Sequence, residues 1–275
     1  MMLINGHAQT NLPASDRGLH FGDGVFETIA VQDGRALCLE RHLGRLAAGC
    51  SRLGIAAPEP ATLEEEFARI CDGQERAVVK LMVTRGAGGR GYAPDKDALS
   101  TRILARYPWP QYPATSRSEG VAVRICETRL GRNARLAGIK HLNRLEQVLA
   151  RSEHDPGQRD EGLMLDDRDR VIEGIMSNVF IHRDGRLCTP DLSECGVAGV
   201  MRDLVLESSR EVTGQAPECT QLDVADLITA DECFLTNSLI GIWPIKTIEE
   251  KSLRAGPVAR ALQKLLTERG AISHD

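Results

Sequence analysis

The sequence is informative first through what it lacks. No apolar run approaches the ~20 residues that a bilayer-spanning helix needs, which excludes a helical membrane protein. The start, MMLINGHAQT, has neither the positive charge nor the apolar middle of a secretory leader. Both absences place the chain in the cytoplasm, with no membrane partner. Positive charge is not in excess either. The formal net charge is -5 and the sequence pI is about 5.9, so no nucleic-acid partner is expected. The eight cysteines, Cys38, Cys50, Cys71, Cys126, Cys188, Cys195, Cys219 and Cys233, form no C-x-x-C pair. No Cys/His set has zinc spacing, so no metal site is expected. In a reducing compartment such thiols act as small core residues. There is no internal repeat and no low-complexity tract.

What remains is an ordinary globular composition of 275 residues, 42% hydrophobic and 27% charged. That length suits one large domain or two smaller ones. Strand patterns open the chain. Met2–Ile4 runs into Asn5-Gly6, Val25–Val31 runs into Asp33-Gly34, and Ala36–Leu39 follows; both dipeptides are hairpin signals. Helical spacing of Leu43, Leu46, Ala47 and Cys50 predicts a helix over 41–53, with Gly54 as its stop. A second helix is expected over 62–72, and strands over 77–84 and 101–107. PWPQYPATSRS then puts three prolines within six residues, which neither helix nor sheet accommodates. The expected organisation is an N-terminal α+β domain over 1–107, a linker over 108–118 and a C-terminal α/β domain over 119–275. In the second domain, strands are expected over 121–127, 162–165, 171–173, 178–182 and 232–235, with a hairpin at Asp184-Gly185. Helices are expected over 143–152, 200–213 and 256–269. Leu142, Leu145, Val148 and Leu149 share one face of the first of these. The class is α+β, two mixed domains with a groove between them as the default ligand site.

Several stretches carry chemistry. RGAGGRG (85–91) contains a literal G-x-G-x-x-G after a strand, but Tyr92-Ala93-Pro94-Asp95 follows instead of a helix. Without a helix N-terminus to face a pyrophosphate, the dinucleotide reading fails. The alternatives are a plain loop or a flap presenting Arg85 or Arg90. CGVAGVMRDLV (195–205) places Gly196 and Gly199 before a helix, where free N–H groups favour an anion. Arg45 in HLGRL (42–46) is either a solvated helix residue or a phosphate partner. Glu173 in VIEGIMSNVF is either an exposed strand-end acid or the partner of a protonated ring nitrogen. Lys140, in RLAGIKHLNRLEQVLARS, is by itself best read as a lysine whose stem lies along apolar surface. Taken together, a phosphate site, an acid and a lysine able to form a Schiff base meet the three needs of pyridoxal phosphate.

From INGHAQ (4–9) to about Pro244 the chain resembles the fold-type IV pyridoxal-phosphate enzymes, which include branched-chain and D-amino-acid aminotransferases. SDRGLHFGDGVFET (15–28), RGAGGRGY (85–92) and LGRNARLAGIKHLNRLEQVLARS (130–152) are most similar to the aminodeoxychorismate lyase branch. The resemblance implies the D-amino-acid aminotransferase-like fold, a homodimer, and pyridoxal 5'-phosphate bound between the domains. It implies Lys140 as the Schiff-base lysine and Glu173 as the partner of the pyridine nitrogen. Arg45 and the N–H groups of Val200 and Met201 would bind the phosphate, with the Ser238 hydroxyl of TNSL beside them. Asn178 would lie close to the cofactor, and Thr28, Arg85 and Arg90 are the substrate-side candidates. The implied reaction converts 4-amino-4-deoxychorismate to 4-aminobenzoate and pyruvate, a step toward folate; the alternative is an aminotransferase acting on a branched-chain or D-amino acid. Met201 replaces a threonine common in the aminotransferases, and Asn237-Ser238-Leu239 replaces their Gly-Thr-Ala; these departures weaken the aminotransferase reading more than the cofactor reading.

Overall fold

The computed structural model describes residues 1–95, 97–153 and 161–273. The chain divides into two compact units. The first comprises Met1–Pro110 together with Ile139–Asn143; the second comprises Gln111–Gly138 and the chain from Arg144 on.

The first unit contains β1 (Met2–Ile4), β2 (His7–Ala8), α1 (Arg17–Phe21), β3 (Gly24–Gln32), β4 (Arg35–Ala36), α2 (Leu39–Leu53), α3 (Pro60–Cys71), β5 (Arg76–Thr84) and β6 (Thr101–Pro108). Its six strands run in the order β2-β1-β6-β5-β3-β4. Both expected hairpin dipeptides form turns with left-handed residues: Asn5 and Gly6 have φ of 49° and 82°, and Asp33 and Gly34 have φ of 50° and 74°. Alternation along β3 sends Val25, Ile29 and Val31 into a core with Val79, Leu81 and Val83 of β5 and Leu43, Leu46 and Cys50 of α2. Full burial of each such side chain is worth ~1.5–3 kcal/mol. Glu27 has the same parity and points to this apolar side. Phe26 and Thr28 have the opposite parity and sit across from Met82 and Lys80 respectively. Gly54, at φ 65°, stops α2 as expected.

The second unit contains α4 (Thr115–Ser118), β7 (Val121–Ile125), α5 (Leu145–Ser152), β8 (Glu161–Leu165), β9 (Val171–Gly174), β10 (Asn178–Arg183), β11 (Arg186–Pro190), α6 (Val200–Thr213), β12 (Glu218–Thr220), α7 (Val224–Thr229), β13 (Glu232–Asn237), β14 (Gly241–Ile248), β15 (Lys251–Ser252) and α8 (Pro257–Glu268). The strands follow the order β12-β11-β10-β13-β14-β7-β8-β9, with β15 on β14. The sheet curls, bringing β9 back alongside β10 and β11. Phe180 and Phe234 stack across β10 and β13 with centroids 5.2 Å apart. Glu232, almost fully buried, accepts from the N–H groups of Val258 (2.9 Å) and Ala259 (3.1 Å) and so caps α8.

Several elements depart from the sequence reading. The helix α1 was not expected; it is five residues long, too short to show a period, and Asp16 caps it through Gly18 N–H at 2.8 Å. The helix α7 and the long strand β14 were also missed, and the strand expected at 36–39 is only Arg35–Ala36. The apolar face expected on α5 exists, yet Leu145, Val148 and Leu149 are 77%, 56% and 59% exposed.

Candidate active site

Lys140 lies in extended backbone beside the start of β3. Its carbonyl accepts from the Phe26 N–H at 2.9 Å, His141 bridges Val25, and the Leu142 N–H donates to Gly24 O at 3.0 Å. This pairing explains why Ile139–Asn143 belongs with the first unit. Lys140 is half-buried, and its Nζ lies 4.4 Å from the centroid of the Phe26 ring.

Arg45 lies one helical turn beyond His42 on α2, and both reach Glu27. The Arg45 Nε donates to Glu27 Oε1 at 2.8 Å, and its Nη2 pairs with Glu27 Oε2. The His42 Nδ1 donates to Glu27 Oε2 at 2.6 Å, the tautomer that an ionised acceptor requires. Burial works to raise the Glu27 carboxyl, but the His42 hydrogen bond and the Arg45 charge outweigh it and hold it below the ordinary carboxylate value. Burial also lowers the His42 ring, against the pull of Glu27; the charges of Arg45 and Lys140 lower it further. The buried His42 Nε2 finds no hydrogen-bond partner among the described residues. Neither Glu27 nor His42 was singled out from the sequence. The signal was available: an acid in GVFETIAV with the parity of Val25 and Ile29.

Of the substrate-side candidates, Thr28 is half-buried on the sheet face that carries Phe26. Arg85 is bound into the fold. Its Nε and Nη2 donate to Asp23 (2.8 and 3.0 Å), and its guanidinium also reaches Leu53 O (2.9 Å) and Gly54 O (2.5 Å). This geometry gives it a structural task. Arg90 is exposed on the glycine loop. That loop forms no helix, so it lacks what a dinucleotide site requires, and it is pinned. Buried Arg17 donates to Gly91 O at 2.8 Å and Tyr92 O at 2.9 Å, and to Asp23 at 2.9 Å.

The second unit gathers the remaining candidates. Glu173, in β9, is buried, and its Oε2 accepts from the Val197 N–H at 2.8 Å. Asn178, opening β10, donates through Nδ2 to Val197 O at 2.9 Å. A Cβ on Gly199 would sit 2.1 Å from Asn178 Oδ1, so only glycine lets the turn close against this amide. Glu173 and Asn178 therefore hold Val197 by its N–H and its carbonyl, fixing the two successive peptide groups around it. Gly199 leads into α6 with no side-chain cap. The first-turn N–H groups of Val200 and Met201 donate to nothing among the described residues. Such a helix start suits an anion. Ser238 is half-buried in the turn between β13 and β14. Asn237 shapes that turn, accepting from Leu239 and Ile240 N–H at 2.8 and 2.9 Å while donating to Met176 O at 2.9 Å. These groups meet the chemistry of a phosphate and of a protonated ring nitrogen.

The model for the amino-transferase class IV family matches residues 24–248. Among curated proteins, the chain is 36% identical over 248 residues to the aminodeoxychorismate lyase of Vibrio harveyi, covering 90% of this chain and 91% of that one. It is 33% identical over 256 residues to a putative branched-chain-amino-acid aminotransferase of Methanocaldococcus jannaschii, covering 91% and 87%. Among solved structures, the 4-amino-4-deoxychorismate lyase of Pseudomonas aeruginosa superposes with a TM-score of 0.93 at 46% identity, covering 98% of each chain.

Proposed function

Because this chain belongs to the class IV aminotransferase family, we propose that it is a pyridoxal-phosphate-dependent lyase converting 4-amino-4-deoxychorismate to 4-aminobenzoate and pyruvate, toward folate. The observation that carries the reading is the chain-long likeness to the two lyases. The donor set supports the cofactor. In this reading the N–H groups of Val200 and Met201, the Ser238 hydroxyl and Arg45 bind the phosphate. Glu27 and His42 hold Arg45 in place. Glu173 pairs with the ring nitrogen, kept in position by the Val197 N–H, and Asn178 fixes the turn between them. The proposed division is into domains over 1–107 and 119–275 joined through 108–118, with Ile139–Asn143 packed on the first.

Bound pyridoxal phosphate supplies an electron-poor ring that accepts the charge left when a proton leaves the carbon bearing the substrate amine. Lys140 would hold the cofactor through its Nζ, and the same Nζ is the proposed base for the proton on the amine-bearing carbon. The enolpyruvyl group departs as its C–O bond breaks, its methylene carbon gains a proton, and the ring becomes aromatic. Lys140 is the proposed donor for that step as well, since it already lies beside the reacting carbon. Thr28 and Arg90 are the proposed contacts on the substrate side.

We place the enzyme in the cytoplasm, a reading supported by eight cysteines that form no disulfide. Among the described residues no helix is long and apolar enough to cross a membrane. We also propose a homodimer. The exposed Leu145, Val148 and Leu149 on α5 support it, because an apolar helix face of this kind is normally covered. Sedimentation should then give twice the chain mass of 30.0 kDa.

The aminodeoxychorismate assay tests the whole reading. Pyruvate should appear without any added keto acid. Turnover only when a keto acid is supplied would favour the aminotransferase alternative, which the Methanocaldococcus relative keeps in view. Lys140→Ala should abolish turnover and the adduct trapped by borohydride; trapping at another lysine would overturn the assignment.

A further inference from the structure

Phe26 contacts Lys140 at both ends of that residue. The Phe26 N–H donates to the Lys140 carbonyl at 2.9 Å, which sets where the lysine backbone lies. The Phe26 ring carries the Lys140 Nζ 4.4 Å from its centroid, which sets where the side chain ends. A second ammonium group shares the ring: the Lys80 Nζ lies 5.0 Å from the same centroid. Sheet register accounts for this. Phe26 faces Met82 and Thr28 faces Lys80, so Phe26 and Lys80 are diagonal neighbours on the face of the sheet away from the core. Lys80 makes no ion pair with the described residues. An aromatic face attracts each cation, while two cations gathered at one ring repel each other.

We infer that Phe26 is the positioning residue for Lys140, and that Lys80 is the charge that offsets the ring's hold on it. The inference rests on the covalent role proposed for Lys140. The ring favours the ammonium form of Lys140 and fixes its place; Lys80 favours the neutral amine, the form that attacks an aldehyde. Other titratable groups stand near Lys140 in this unit: His141 follows it in the chain, and His42, on α2, is acted on by its charge and is bonded to Glu27, which also holds Arg45. The ring and Lys80 act on the Lys140 ammonium in opposite directions.

The test uses the full-length apoenzyme and two probes. Pyridoxine 5'-phosphate lacks the aldehyde and reports the phosphate site alone. Pyridoxal phosphate reports covalent attachment to Lys140, followed as growth of a visible absorbance band across pH. Phe26→Leu should leave pyridoxine phosphate affinity within about twofold, slow attachment about tenfold, and move its pH midpoint down by about one unit. Phe26→Tyr, which keeps the ring, should restore both values. Lys80→Met should move the midpoint up by about one unit, because the repelling charge is gone. Midpoints that stay in place, or that move the same way in Phe26→Leu and Lys80→Met, overturn the inference. If Phe26→Leu fails to fold, Lys80→Met against wild type decides by itself: an upward shift supports the inference and no shift overturns it. Failure of the underlying reading looks different, since the borohydride adduct would then persist in Lys140→Ala.

Discussion

The two units present their functional groups in opposite ways. The first offers charged side chains held by other side chains: Arg45 by Glu27, Glu27 by His42, and Lys140 by Phe26. The second offers mainly backbone. Val200 and Met201 contribute N–H groups, and the side chains of Glu173 and Asn178 grip the Val197 peptide just ahead of them. The lesson concerns what each unit tolerates. In the first, a buried charge loses its counter-ion when its partner is changed. In the second, residue identity matters where it shapes the backbone, at Gly199 and Asn178, and less where only the N–H is used. Methionine at 201 is therefore compatible with the proposed phosphate site, which would use only its N–H.

Glu27→Leu should break the first pattern most severely. It leaves Arg45 and His42 buried without their acid, and denaturant melts should show a loss of about 3–5 kcal/mol. An effect under about 1 kcal/mol would mean that Glu27 is not the keystone of that cluster. Gly199→Ala should break the second pattern by overpacking against Asn178, at about 1–3 kcal/mol, with weaker pyridoxine phosphate binding. Normal binding in that variant would show that the turn can shift without harm. Asn178→Ala removes one neutral hydrogen bond to the Val197 carbonyl, and should cost about 1 kcal/mol by the same melts.

The smallest effect lies outside both of these clusters and separates them from ordinary electrostatics. Glu153 accepts from the N–H groups of Thr128 and Glu127, each at 2.8 Å, and from Arg124 at 2.9 Å. Burial works to raise its carboxyl, but these donors hold it at about 2 against an ordinary 4.5. Its folded value is the lower one, so its contribution is complete above 4.5 and is lost as pH falls through about 2. Glu153→Gln should therefore be less stable than wild type by about 1 kcal/mol at neutral pH. Melts repeated in acid should show the gap closing toward pH 2; a gap independent of pH would rule out this account.

Much of the scaffold was legible because its signals are local. Asn5-Gly6, Asp33-Gly34 and Asp184-Gly185 are turn dipeptides, and all take the left-handed backbone that such turns need. Helix α6 spans the residues that its pattern predicts. The helix start at Gly199 and the acid at Glu173 could be read as candidates for the same reason. Arg85 could not be judged, because Asp23, Leu53 and Gly54 lie far from it in sequence. The α5 face was legible as apolar but not as exposed, since periodicity reveals a stripe and not its cover.

The sequence by itself determined the turns, most of the longer helices and strands, the parity that buries Glu27, and the family to which the chain belongs. These depend on neighbours a few residues apart or on whole-chain likeness. Tertiary structure alone decided that Lys140 pairs with β3 and meets the Phe26 ring. It also decided that Arg45 is tied to an acid, and that Glu173 and Asn178 hold one residue, Val197, by its N–H and its carbonyl. Those contacts join residues separated by long stretches of chain, and no local preference encodes them. They appear only when burial of the two cores brings the strands into register.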